Sequence, residues 1–195
     1  MEHTQLVSDV QRLTESLGQL PEPVAKPPFI VVSGLPGTGK SYFCNQLARR
    51  LPFVILESDA LRKALFPSPD YSSSESSHLF QTIHLLVERL LKRGVPLILD
   101  ATNLSERYRE HLYSIAYRLD VKLILVRVEA PPEVVQERLK ARQAEMNPMN
   151  QSGADWAVYQ KMKPSVQKIR RNHFAVDTSR DITPVLDKIV REVRR

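Results

Sequence analysis

Phe29-Ile-Val-Val-Ser33-Gly34-Leu-Pro-Gly-Thr-Gly-Lys-Ser41 is the stretch that decides the fold. Its first half is a continuous apolar run without alternation, the mark of a strand buried on both faces of a parallel sheet. Its second half, Gly34-x-x-x-x-Gly39-Lys40-Ser41, has the Walker A spacing, and helical spacing follows at once over residues 40–51. Glycines let backbone N–H groups turn toward an anion without a Cβ in the way, and a helix start adds unpaired donors and a favourable dipole. A strand, loop and helix in this order form a cradle for phosphate oxygens. The candidate nucleotide contacts are Gly34, Pro36, Gly37, Thr38, Gly39, Lys40, Ser41 and Tyr42. Lys40 would neutralise the β/γ-phosphate charge and the Ser41 hydroxyl would ligate Mg²⁺. Magnesium is the expected metal because it binds through one or two protein oxygens, phosphates and water.

Outward from the loop, strands and helices alternate. Apolar runs at residues 52–57, 95–100, 121–128 and 174–177 predict four more strands. Helical periodicity fills residues 59–66, 76–93, 105–119 and, opened by Pro131-Pro132, the stretch that Asn147, Pro148 and Gly153 break. Helix is expected again over 154–171 and at the C-terminus. Five strands joined by helices imply an α/β fold, a three-layer sandwich around a five-stranded parallel sheet. Before it, Leu6, Val10, Leu13, Leu17 and Leu20 show a helical period within residues 2–20, and Gly18 and then Pro21-Glu-Pro-Val-Ala-Lys-Pro-Pro28 end that helix and make a stiff linker. Residues 1–27 are thus an N-terminal helix and linker, expected to pack on the domain formed by 28–195, with a lid at about 132–170.

The chain has 195 residues, 42% hydrophobic and 26% charged, which suits one globular domain. Its single cysteine, Cys44, excludes an internal disulfide and falls on an apolar helix face, where a packed thiol is expected rather than a nucleophile. No apolar run reaches the roughly twenty residues that span a bilayer, and the N-terminus is acidic and polar where a signal peptide is basic and apolar. The expectation is a cytoplasmic protein. The five histidines are scattered, so no zinc site is expected. A net charge of +6 favours an anionic partner, either nucleic acid or a phosphorylated metabolite, although the basic C-terminal residues also suit a solvated helix face.

Three further clusters carry chemistry. Ser58-Asp59-Ala-Leu-Arg62 sits where the second strand ends, the edge at which open α/β sheets bind ligands. Asp59 either caps the helix or serves as the general base for an attacking hydroxyl; Arg62, one turn on, shares its face and would hold the acceptor. Asp100, ending the third strand, has the Walker B position and would assist Mg²⁺. Thr102 and Asn103 are candidates to contact the acceptor; the other reading makes Asn103 or Ser105 the cap of the next helix. Arg138 and Arg142, four residues apart, project from one helix face as candidate lid arginines that close over the γ-phosphate; with Glu137 and Glu145 nearby, an exposed ion-paired helix is the other reading.

Gly34 to Ser41, Asp59-x-x-Arg62, Asp100-x-Thr-Asn103 and the arginine-bearing helix together resemble the small P-loop kinases that include the 5′-kinase domain of polynucleotide kinases. The resemblance runs from about Phe29 to the C-terminus. It implies a P-loop kinase fold with a helical lid, ATP and Mg²⁺ as cosubstrates, and phosphorylation of a hydroxyl. By the same resemblance Asp59 is the base, Arg62 the acceptor-contacting arginine, and Arg138 and Arg142 the lid arginines. A polynucleotide 5′-OH is the first acceptor to consider. A small metabolite or antibiotic hydroxyl is the alternative, and a nucleotide-gated ATPase module is a third reading from another class.

Overall fold

The computed structural model describes residues 2–144 and 154–195. In chain order its elements are α1 (Glu2–Ser16), β1 (Phe29–Ser33), α2 (Lys40–Ala48), β2 (Val54–Glu57), α3 (Ser58–Leu65), α4 (Ser73–Lys92), β3 (Leu97–Asp100), α5 (Glu106–Arg118), β4 (Leu123–Glu129), α6 (Pro132–Ala144), α7 (Trp156–Met162), β5 (Phe174–Asp177) and α8 (Thr183–Arg194), with a 3₁₀ turn at Lys163–Ser165. The strands form one sheet in the order β2-β3-β1-β4-β5, every pair parallel.

The two faces of β1 explain its unbroken apolar run. Phe29 and Val31 enter a core shared with Leu79, Ile83, Leu86 and Leu90 of α4, while Ile30 and Val32 enter a second one with Phe43 and Leu47 of α2 and Leu186 and Ile189 of α8. All four β1 side chains are fully buried. Each such burial contributes about 1.5–3 kcal/mol before chain entropy is set against it. A polar residue at any of these positions would open one core or the other. Cys44 lies in the second core, where burial, then the negative Asp100, pushes its thiol well above the usual range; it is a packing residue.

Three helices end at least three residues before their apolar spacing does, α2 among them at Ala48 rather than residue 51. The apolar period runs to residue 20 but the N-terminal helix stops at Ser16, where Gly18, the expected terminator, takes a left-handed φ of 68° that turns the chain out of the helix. The helix expected over 154–171 ends at Met162; after the turn at Lys163–Ser165 the chain leaves the helical conformation at Val166 and runs without regular structure to β5. Pro164 lacks the N–H a helix interior needs, and the carbonyls of Gln167 and Lys168 accept from Arg109. Asn147, Pro148 and Gly153, with Glu145, lie outside the described residues.

The α1 helix packs on α3 and α4. Val10 and Leu13 are buried, the Arg12 guanidinium donates to the Ala64 carbonyl at 3.1 Å at the end of α3, and His78 Nε2 lies 2.8 Å from Asp9 Oδ2. Among the described residues no helix is long and apolar enough to cross a membrane.

Candidate active site

Parallel pairing in register brings three loops to one edge. Val32 and Glu57 both flank Asp100, so the loops after β1, β2 and β3 open side by side. They surround a cavity of about 610 Å³, within the range of small-molecule sites. Pro36, Gly37, Gly39, Lys40 and Ser41 line one end; Asp59, Arg62, Tyr71, Ser76 and Phe80 line the other. Glu57, Asp100, Thr102 and Arg142 also face it.

At the loop end, Gly37 and Gly39 take φ of 77° and 88°, which side chains other than glycine rarely tolerate. A Cβ on Gly37 would also sit 2.9 Å from Val135 and Leu139, because α6 lies directly on the loop. Lys40 Nζ donates to the Leu35 carbonyl at 3.2 Å, and Thr38 Oγ1 to the same oxygen at 2.8 Å. Gly34 and Thr38 stand behind the cavity; the Gly34 N–H donates to the Thr102 carbonyl at 3.1 Å. Tyr42 is 55% exposed on α2 and is not among the cavity-lining side chains.

Carboxylates gather beside Lys40. The Ser41 hydroxyl donates to Asp100 Oδ2 at 2.7 Å, bringing the Walker A serine and the strand-end acid together. Burial raises the Asp100 carboxyl while Lys40 and Ser41 lower it. Glu57, its neighbour across the sheet, is pushed up to about 7 by burial and then by the charges of Asp100 and Asp59. Acids crowded until one resists ionising suit a divalent cation, which relieves that repulsion. Among the described residues no group of three or more His, Cys, Asp and Glu could hold a metal ion by itself. The Ser41–Asp100 pair therefore fits a Mg²⁺ completed by phosphate oxygens and water.

At the other end, Asp59 stands in the first turn of α3, half-buried, with no side-chain cap hydrogen bond made at that helix start. Arg62, 6% exposed, is held on three sides. One NH pairs with Glu75, the other reaches Ser76 Oγ at 3.2 Å, and the Tyr71 ring lies 4.7 Å from the guanidinium carbon. Its Nε is buried and without a partner.

The remaining candidates separate. Thr102 lines the cavity. Asn103 is buried, in a left-handed φ of 45°, and donates to the Val32 carbonyl at 2.9 Å; it fastens the end of β1 and does not face the cavity. Ser105 is the residue before α5, but its side chain makes no cap; the Glu106 N–H donates instead to Gln167 Oε1 at 2.7 Å. Arg142 reaches the cavity, whereas Arg138 donates to Thr178 Oγ1 at 2.8 Å and to its carbonyl at 2.9 Å. Thr178 in turn donates to the Thr38 carbonyl at 2.6 Å, so Arg138 braces the back of the phosphate loop.

Glu57, Tyr71, Glu75, Phe80 and Thr178 were not legible as site residues. Glu57 alone left a signal, as an acid closing an apolar strand beside the Asp59 cluster. Glu75 and Thr178 act through partners 13 and 40 residues away, which local patterns do not reveal.

Similar architecture occurs in kinases of diverse acceptors. The Mycobacterium tuberculosis APS kinase CysC, solved with AMPPNP and APS, superposes with a TM-score of 0.65 at 17% identity, over 89% of this chain and 100% of that one. A gluconokinase from Sinorhizobium meliloti gives 0.58 at 23%, over 86% and 89%. A chain of the Pnkp1/Rnl/Hen1 RNA repair complex gives 0.61 at 21%, over 75% of this chain and 46% of that one. The fold is therefore that of the P-loop kinases, and with residues 29–169 matching the AAA domain family, the chain belongs to that family.

Proposed function

We propose that the protein is an ATP-dependent kinase that transfers the γ-phosphoryl group to a hydroxyl, with a polynucleotide 5′-OH as the first acceptor. One observation carries this reading: a single cavity has a phosphate loop at one end and an Asp59–Arg62 pair at the other. The amides after Gly34 and the Lys40 ammonium hold the triphosphate. Ser41 and Asp100 would hold Mg²⁺, which when bound screens the charge of the β- and γ-phosphates. Asp59 accepts the acceptor's hydroxyl proton as the new O–P bond forms and the bond from the γ-phosphorus to the β-bridging oxygen breaks. Arg142 and the α6–α7 lid exclude water that would otherwise hydrolyse the nucleotide. Arg138 serves this site indirectly, through Thr178 and the loop.

The pairing of Arg62 with Glu75 favours a second reading. A guanidinium already paired with Glu75 has little capacity left for an acceptor phosphate, which suits a small neutral hydroxyl compound. Labelled ATP offered with a 5′-OH oligonucleotide and with a panel of hydroxyl compounds separates the two. In either case Asp59→Asn should lower transfer by roughly 10²–10³-fold while magnesium-ATP binding is kept. Transfer at the wild-type rate in that variant would remove Asp59 from the chemistry.

A further inference from the structure

The segment after α7 has an unusual charge. Residues 163–173 contain four Lys and Arg and no Asp or Glu. It begins at the cavity, since Met162 lines the mouth beside Phe80. From there it is fastened along the start of α5. The Gln167 N–H donates to the Leu104 carbonyl at 2.9 Å, Ile169 is buried, and the Arg171 guanidinium lies 4.4 Å from the Tyr113 ring centre. Arg109, 1% exposed, donates to the Gln167 and Lys168 carbonyls at 2.8 and 3.1 Å.

Gln167, Ile169 and Arg171 contact the domain, while Lys168 and Arg170 are exposed to solvent. Lys163 and Arg107 are exposed beside them, and among the described residues none of these four side chains has an ion-pair partner. Between this ribbon and the cavity stand two stacked rings, Phe80 and Tyr108, with centroids 5.8 Å apart and planes at 26°. Tyr108 is 49% exposed, so one ring face is open to a base.

We infer that this face seats a single-stranded nucleic acid: its phosphates lie on Lys163, Lys168 and Arg170, a base stacks on Tyr108, and its 5′ end enters the cavity toward Asp59. The inference rests on the polynucleotide reading of the acceptor. A basic track with an aromatic step is the combination that holds single strands without reading sequence.

The test is fluorescence anisotropy of 3′-labelled, 5′-OH twelve-residue oligo-dT and oligo-U, without nucleotide, across a series of salt concentrations. Three phosphate contacts should give a slope of log affinity against log salt near −2, at about 0.7 per contact. The triple variant Lys163→Glu/Lys168→Glu/Arg170→Glu should bind at least about tenfold more weakly at low salt and flatten that slope. Tyr108→Ala should weaken binding by about fivefold or more at unchanged slope. Melting temperature and magnesium-ATP affinity should not move in either variant, since the altered side chains are exposed and away from the loop. Wild-type affinity and slope in the triple variant would overturn the inference, as would ribbon-dependent binding to phosphatidylserine vesicles without binding to either oligonucleotide. Because no transfer is measured, failure here with transfer intact leaves the kinase reading standing. Ribbon-dependent oligonucleotide binding with transfer to small hydroxyls alone would instead overturn the polynucleotide acceptor.

Discussion

The two ends of the cavity are built from different materials. The phosphate end is mostly backbone: a loop of thirteen consecutive residues with its strand, two left-handed glycines and a helix start deliver the groups that grip an anion. The proposed acceptor end is mostly side chains drawn from separate elements, with Arg62 on α3 held by Tyr71 before α4 and by Glu75 and Ser76 within it. A backbone site is fixed once its local conformation is fixed. A side-chain site must be assembled by tertiary packing, and it is free to change its acceptor while the loop stays the same. Kinases named for different acceptors share this fold.

The largest effect that sharpens the contrast is expected from Lys40→Ala. If the loop end supplies most of the charge stabilisation, this one substitution should reduce phosphoryl transfer on the order of 10³-fold whatever the acceptor. Steady-state transfer to an oligonucleotide and to a small hydroxyl compound checks it. A loss confined to one acceptor would break the idea that the loop end is indifferent to what is phosphorylated.

On the acceptor side the next largest effect should come from Arg109→Met. Arg109 is fully buried, pairs with Glu106 and also donates to the Asn103, Gln167 and Lys168 carbonyls. Removing the guanidinium leaves Glu106 without its partner and frees the basic segment, at an expected cost of about 3 kcal/mol. Urea unfolding should show that loss, and hydrogen exchange should rise first at residues 166–169. Unchanged protection there would mean that the segment is held by its own packing.

A smaller effect is expected for Glu75→Gln. It leaves the Arg62 charge unneutralised at the acceptor end, and the side-chain contacts differ little in shape. The KM for the acceptor should shift about tenfold while the KM for ATP stays, because no Glu75 contact reaches the loop. The direction is informative. A lower KM identifies an anionic acceptor drawn to the freed guanidinium, and a higher one a neutral acceptor that needs the pair intact.

Legibility follows the same division. The buried β1 run, the glycine loop and the five strands could be read because each is a local pattern in consecutive residues, and the sheet then puts Asp100 beside Ser41 by register alone. Asp59 and Arg62 could be placed on one helix turn by spacing. What the sequence hid depends on distant partners. Nothing near Arg138 says that Thr178 takes it behind the loop, and nothing near Asn103 says that the Val32 carbonyl takes it inward. The helix expected over residues 154–171 fails for both reasons, locally at Pro164 and remotely at Arg109.

The smallest effect concerns the layer beneath the acceptor end, where α4 meets α5. His84 packs against His111 with ring centroids 5.4 Å apart, near Glu88, Glu110 and Arg118. Burial, then the His111 charge, lowers His84 to about 4 from its ordinary 6.5. The unfolded chain therefore takes up this proton first as the solution is acidified. The stability that a neutral His84 contributes is complete above about pH 6.5 and lost as pH falls toward 4. The full shift corresponds to about 3.4 kcal/mol, and partial solvation of the ring reduces that to roughly 2 kcal/mol. For a domain of this size that is a fall in Tm of roughly 5 °C between pH 7 and pH 4 from this group. His84→Gln should remove that part of the acid dependence while other carboxylates keep theirs. The α2–α8 layer on the loop side should not respond to the substitution. Hydrogen exchange at pH 4.5 should accordingly open α4 and α5 before α2 in the wild type, and the substitution should narrow that gap. Equal opening of both layers in the wild type would mean that the domain unfolds as one unit, with the two ends of the site coupled below their surface.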